Sequence, residues 1–390
     1  MINSEPKMAM SQLRDEGMSF IENPNGLPDE TLSEANRTRL LSDEAFALKS
    51  LGRLEDALGP QSIVHQRTWE AGDWNNFCRS GENLVSLLTP LGRWAEAEAV
   101  SREAVSVANG LKDKEERWQR TTTALAYLGH TLHGRGYLKQ ASTAYALAEI
   151  VQAEAHHHPK LYSIYGYNYA QLLLEQACQE TGWREVLERR HTSLDIAVKL
   201  NHALSQALDH GTIGLARAAL GEPDTVPALD LAVTTMQRAG TVIHLPAMHL
   251  ARAHYQRSLR NLPAAWADLE AAQTIARNSN MRTYLAECAL LGGNLFLDEA
   301  RVPEAAAQHA SAAQLIREDG YGRRLAELHL LHARLLHAQR DPAALQALAD
   351  AQARIREAGQ WYFWRELRAV ANEIAAPDPG ECPARNIAVG

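Results

Sequence analysis

Cysteine is scarce in this chain. Its 390 residues include four. Cys78, Cys178 and Cys288 stand far apart, Cys382 lies near the C-terminus, and none forms a CxxC pair. That excludes a disulfide framework and a thiolate metal site as organising principles, and reduced, mostly buried thiols are expected. Aromatic residues make up only 6%, which argues against a β-sandwich, a fold that favours aromatic and β-branched residues. Positive charge is in deficit, with 39 Lys and Arg against 47 Asp and Glu and a net charge of -8. A broad phosphate-binding face is therefore excluded, and no nucleic-acid partner is expected. The local basic pairs Arg189–Arg190 and Arg323–Arg324 read as solvated helix surface.

Long apolar runs are missing as well. No stretch approaches the roughly 18 uninterrupted apolar residues of a membrane span, and residues 1–17, MINSEPKMAMSQLRDEG, lack the apolar centre of a signal peptide. A cytoplasmic protein without a membrane partner is expected. Nucleotide and hydrolase motifs are missing too. There is no GxxxxGK[ST] phosphate loop, no GxSxG elbow, no HExxH and no GxGxxG after a strand.

Abundant alanine and 46% hydrophobic residues suit close helix packing. One pattern recurs. Leu51-Gly52-Arg53-Leu54-Glu55-Asp56-Ala57 returns as Leu91-Gly92-Arg93-Trp94-Ala95-Glu96-Ala97 and as Arg135-Gly136-Tyr137-Leu138-Lys139-Gln140-Ala141. Weaker copies begin at Gly182, Gly221, Asn261, Arg301 and Arg340. Each reads as a turn entering a helix, with glycine supplying positive φ and proline tolerated in the first helical turn. Ala57 to Ala97 is 40 residues, Ala97 to Ala141 is 44, and Ala265 to Ala305 is 40, a solenoid period.

After the marker alanine the second helix carries a large residue at plus four and a small one at plus seven, although Ala97, Ser101 and Ala104 keep the two alanines and put Ser at the large position. Ala141, Tyr145 and Ala148 fit, as do Ala265, Leu269 and Ala272, and Ala344, Leu348 and Ala351. These positions share one helical face, and alternating sizes let neighbouring helices nest. Leu128-Gly129 with Leu132 supplies the partner pattern in the preceding helix.

The chain divides into a polar segment over 1–34, with a possible short helix from Met8 to Ile21, a repeat array over 35–359, a capping helix over 360–376 and a disordered tail over 377–390. Trp361, Phe363, Trp364, Leu367 and Val370 give the cap the apolar face that a terminal repeat needs.

At these residues the chain resembles the tetratricopeptide repeat superfamily, whose pattern is a Leu-Gly pair in the first helix, a Gly–aromatic turn, then Ala, a large residue and Ala in the second. The resemblance implies an all-α, right-handed α-solenoid of about eight helix–turn–helix repeats with a C-terminal capping helix. Its spacing is nearer forty than the usual thirty-four or so. The runs Gly72-Asp73-Trp74-Asn75-Asn76, Asn83-Leu84 and Leu161 to Tyr169 followed by Leu172-Leu173-Leu174 also resemble the C-terminal sensor arrays of bacterial signal-transducing STAND proteins. The NTPase of that class is not encoded in this sequence.

Sixteen histidines raise a metal reading. His130 and His133 are three apart, His329 and His332 repeat that spacing, and His156-His157-His158 precedes Pro159. None is completed by further ligands at metal spacing, so no metal, no cofactor and no catalytic residue is assigned. The carboxylates Glu115 and Glu116 read as solvent-facing. Tyr162, Tyr165 and Tyr169 recur at helical spacing and read either as a core stripe or as an aromatic floor in the groove.

In a tetratricopeptide solenoid the first helix of each pair lines the concave face. Carried over by register, this implies groove positions at Arg79, Glu82, Thr123, His130, Asn168, Gln171, Glu175, His210, Arg217, Glu287 and Asn294, with Tyr165 as the aromatic member. A protein or peptide partner bound in the groove, with regulation of an associated effector, is the expected function. A small signalling ligand is the alternative, and an enzyme using histidines and carboxylates is the least favoured.

Overall fold

The computed structural model describes residues 32–155 and 158–386. The helix expected over 8–21 and the residues His156 and His157 lie outside the described residues. Within them are seventeen α-helices and no strand. They form eight antiparallel pairs and a cap: α1 Glu34–Ser50 with α2 Leu54–Glu70, α3 Trp74–Leu88 with α4 Trp94–Asn109, α5 Lys114–Gly134 with α6 Leu138–Glu154, and α7 Ser163–Gln176 with α8 Glu180–Lys199. Then follow α9 Ala203–Leu220 with α10 Thr225–Ala239, α11 Leu245–Ser258 with α12 Leu262–Asn278, α13 Arg282–Asp298 with α14 Val302–Asp319, α15 Leu325–Ala338 with α16 Ala344–Ala358, and the cap α17 Trp364–Glu373. The architecture is an all-α solenoid of the tetratricopeptide type.

The alanine periodicity is the packing code. Ala57, Ala97, Ala141, Ala265 and Ala305 are each fully buried, where the second helix of a pair meets the first. Gly129 of α5 shows the small-to-large fit: a methyl added there would lie 2.9 Å from the ring of Tyr145 on α6. Gly129→Val should therefore overpack this contact and lower stability by about 1–3 kcal/mol. Urea unfolding measures it, and an unchanged midpoint would show that α5 and α6 are not held this closely.

The cap behaves as a terminal repeat should. Phe363, Trp364, Leu367 and Val370 are buried in one cluster with Leu330, Ala347, Leu348 and Ile355 of the last pair. The segment expected as a disordered tail is tied to it through its described residues. Trp364 Nε1 donates to the Gly380 carbonyl at 3.0 Å, and Arg368 pairs with Asp378 at 2.9 Å.

The solenoid winds far enough for its second turn to rest on its first. The turns between α1–α2, α3–α4 and α5–α6 press on loops near 280 and 320. Trp94, at the start of α4, is buried among Ala286, Leu290, Ile316, Tyr321 and Leu331. It stacks on Tyr321 with ring centroids 5.1 Å apart and planes 4° from parallel, and its Nε1 donates to Thr283 Oγ1 at 3.1 Å. Thr283 completes the link, its hydroxyl donating to the Thr89 carbonyl at 2.7 Å and its amide to the Pro90 carbonyl at 3.1 Å. Leu54, Ala57, Leu87 and Leu91 likewise share a cluster with Ile243, Ala276 and Met281.

Close approach at this seam explains two glycines. Gly92 has φ +81° and any Cβ there would strike the Asp319 carboxylate, while Gly136 has φ +84° and a Cβ would lie 2.9 Å from the Gly322 carbonyl carbon. The corresponding turns of later repeats take the same left-handed conformation at Arg260, Ala300 and Arg340, with φ near +60°. Those three residues are exposed, so a side chain is tolerated there.

Candidate functional site

Winding the solenoid onto itself leaves an open-mouthed cavity of about 2800 Å³. The first helix of every pair supplies its wall. On α7 the lining residues Ile164, Tyr167, Asn168, Gln171, Leu174 and Glu175 recur every three or four positions, as one helical face requires. On α5 the corresponding face carries Tyr127, His130 and His133, and on α11 Ala247, Met248, Ala251, His254 and Tyr255. The loop before α15 adds Arg323 and Arg324, and the cap adds Tyr362 and Glu366. Tyr362 leaves 41% of its surface uncovered, and that surface faces the cavity.

Fixed ion pairs organise the interior. Glu175, at the end of α7, accepts from Arg323 Nε at 2.6 Å, shares a 2.9 Å bond with His133 Nε2 and accepts from Gln360 Nε2 at 3.1 Å. Burial alone would raise its pKa, but Arg323 and His133 outweigh that and hold the carboxyl well below the usual range. Glu287 accepts from Arg324 Nη2 at 2.7 Å and from the Tyr321 hydroxyl at 2.6 Å. Two arginines from one loop are thus matched by carboxylates from α7 and α13, and this welds the two superhelical turns together.

Four histidines face the same space uncharged. Burial, then neighbouring positive charge, lowers His130 to about 3, His133 to about 4 and His254 to about 4; His244 also falls to about 4, through burial and then Lys49. His133 is shut off from solvent, with 1% exposure. The others keep surface on the cavity, where water softens the burial penalty. Because His133 binds its proton more weakly folded than unfolded, its contribution to stability is complete above the ordinary value near 6.5 and is lost as pH falls from there towards 4. At pH 5 that loss is about 2 kcal/mol. The His133→Gln variant, which cannot titrate, should lose about 2 kcal/mol less than the parent between pH 7 and pH 5. Urea melts at the two values measure this, and equal losses would place the acid sensitivity elsewhere.

Of the positions expected from sequence, His130, Asn168, Gln171, Glu175 and Glu287 line the cavity. Thr123 and Glu82 bond to each other between α5 and α3, with Arg120 3.6 Å from Glu82. Asn294 is buried, accepting from Arg334 at 2.6 Å. Tyr165 packs edge-on against Tyr127 beside the core of the third pair. Arg217 lies 3.7 Å from Glu222, Arg79 is exposed and His210 is half-buried; none of these three lines the cavity. Tyr169 stacks on Tyr145, so that part of the tyrosine run is core, while Tyr167, between its members, reaches the cavity.

The basic pairs need correcting. Arg323 and Arg324 are not solvated helix surface but cavity residues. Arg190 is also buried, donating to Asp209 at 2.8 Å, and Arg189 reaches Glu149 at 2.8 Å. Arg189 and Arg324 also have local partners, Glu185 at 2.9 Å and Glu327 at 3.7 Å, but the partners that bury Arg190 and Arg323 lie 19 and 148 residues away in sequence, where a local charge pattern could not reveal them. Lys49, Tyr284, Glu327 and Glu366 also line the cavity and were not among the expected positions.

No family model matches the sequence, and no curated protein matches it. Among solved structures, a Rap protein complexed with competence and sporulation factor is similar over 87% of this chain and 99% of its own, with a TM-score of 0.56 and 13% identity. A STAND protein with a tetratricopeptide repeat sensor from Pyrococcus horikoshii is similar over 96% of this chain and 66% of its own, with a TM-score of 0.38 and 13% identity. Yeast Tom70 is similar over 95% and 92%, with a TM-score of 0.25 and 12% identity. The likeness is one of fold, and the fold is that of the tetratricopeptide repeat proteins.

Proposed function

We propose that this solenoid is a receptor for a peptide or an extended segment of a partner protein, which it holds inside the cavity. The observation that carries the reading is the cavity itself. Small-molecule pockets span about 300–1,000 Å³, whereas this space is about 2800 Å³, room for several residues of extended chain. Its wall combines apolar helix surface with tyrosine hydroxyls and neutral imidazoles, groups able to bond backbone amides and carbonyls. The Rap protein of similar fold is complexed with a factor, which supports partner binding by a solenoid of this shape. Occupancy would brace the first helices of both superhelical turns against each other, and an associated effector would read that stiffening.

Gln171 tests the location. It lines the cavity from α7, so Gln171→Trp fills free space without disturbing a core. Peptides that raise the melting temperature of the parent should give less than a tenth of its affinity with Gln171→Trp. They should bind Arg79→Glu, changed at an exposed position outside the cavity lining, as they bind the parent. Equal binding to Gln171→Trp and the parent would place the site elsewhere.

A further inference from the structure

The cavity runs the whole length of α11. Its lining there carries His244, Ala247, Met248, Ala251, Tyr255 and Ser258. Their spacing makes one helical stripe, from the capping His244 to the last residue of the helix. The helix has 14 residues, roughly 21 Å at 1.5 Å per residue. At both ends of this stripe the cavity lining becomes exposed.

At the N-terminal end, the turn before α11 meets the end of α1. Leu48 shares a cluster with Val242 and Ile243, and a Cβ on Gly52 would lie 3.1 Å from the Val242 side chain. Phe46, Leu51 and Gly240 line the cavity here. All three are exposed, Phe46 by 67% and Leu51 by 53%. A residue that lines a cavity and also reaches solvent marks where the two join, so these three form a rim.

At the C-terminal end, a ladder of ion pairs joins α11 to the cap. Arg257 pairs with Asp298 at 2.6 Å, Asp298 with Arg334 at 2.8 Å, and Arg334 with Glu373 at 2.8 Å. Ser258, Arg260, Asn372 and Glu373 line the cavity and are exposed, a second rim at the opposite end of the same helix. A pocket with one mouth takes a chain end and must desolvate its charge. A space open at two ends can take the middle of a chain, whose amides and carbonyls need only hydrogen bonds. The α11 face suits the second case. Ala247, Met248 and Ala251 are apolar, and His244 and His254 stand uncharged at either end of them.

We propose that the cavity is a passage open at both ends of α11, and that it grips an internal segment of a longer polypeptide whose flanks leave through the two rims. An extended chain spans roughly 21 Å in about six residues, and these present apolar side chains to Ala247, Met248 and Ala251. This rests on the peptide reading above and chooses within it: the ligand is a stretch of a partner protein, not a short free-ended peptide.

The test starts from a library of peptides of about six residues with apolar middles, screened by thermal shift against the full chain. The tightest member is then made with a flexible Gly-Ser tail at its N-terminus, at its C-terminus or at both. All three forms should bind within about threefold of the untailed peptide, a difference of less than 1.4 kcal/mol. Benzoylphenylalanine is placed at position 46, on the first rim, or at position 372, on the second, and each protein is irradiated with the doubly tailed peptide. Mass spectrometry of the adducts should find one tail at 46 and the opposite tail at 372. The same tail at both positions, or a loss of about tenfold or more on tailing one end, would overturn the passage while leaving peptide binding intact. A library without a single binder would remove the peptide reading itself.

Discussion

Glu175→Ala is expected to destabilise the protein by about 3–5 kcal/mol, the usual effect of removing one partner from a buried ion pair. Three donors converge on this carboxylate from distant parts of the chain: His133 on α5, Arg323 before α15 and Gln360 before α17. Alanine leaves the Arg323 guanidinium enclosed with Arg324 beside it, and positive charge without compensation is the dominant penalty. Glu175→Gln keeps the shape and one acceptor, so the difference between the two variants separates charge from hydrogen bonding. Because the Glu175 pKa is depressed on folding, its contribution is present above the ordinary carboxyl value near 4.3 and disappears as pH falls below it. The gap between parent and Glu175→Ala should therefore narrow in acid. Chemical unfolding of the parent, Glu175→Ala, Arg323→Ala and the double variant would measure it. Additive losses would show that Glu175 and Arg323 do not meet.

Trp94→Ala should cost a similar amount, about 3–5 kcal/mol, as large aromatic truncations in a core do. Its second consequence is more specific. Trp94 belongs to the second repeat, but its burial partners are residues 286–331 of the seventh and eighth. Losing it removes both the stack on Tyr321 and the bond to Thr283, so the superhelix should loosen as well as weaken. Phe77→Ala is the comparison. Phe77 is as deeply buried but packs with Cys78, Val107 and Ala108 of its own repeat. Small-angle scattering should show a larger radius of gyration for Trp94→Ala and an unchanged one for Phe77→Ala. Equal radii for the two variants would mean that the seam does not hold the turns together.

The repeat was legible because its code is local. Marker alanines, the large residue four positions on and the Leu128-Gly129 pair all act between helices adjacent in sequence, and they fall in the core. The seam was not legible, since Trp94 and Thr283 are 189 residues apart and Asn280 and Glu55 are 225 apart. A trace of it was nevertheless visible in the uneven strength of the repeats. The copies with Gly at 52, 92 and 136 are those pressed by the second turn, whereas the turns at Arg260, Ala300 and Arg340 are exposed and carry side chains. Register placed Asn168, Gln171 and Glu175 on one face of α7, and all three line the cavity. It also selected Arg79, Glu82, Thr123, Tyr165, His210, Arg217 and Asn294, which are not among the lining residues. Charge in this interior is balanced across repeats, and Arg323 carries no local signature of its pairing with Glu175, 148 residues away.

The most direct measurement places a photo-crosslinking benzoylphenylalanine at position 171, inside the cavity, or at position 79, exposed and outside the cavity lining, and irradiates each with the peptide that most raises the melting temperature. Adduct at 171 and none at 79 is the result expected of a solenoid closed around its ligand. Adduct at 79, with 171 unlabelled, would contradict it.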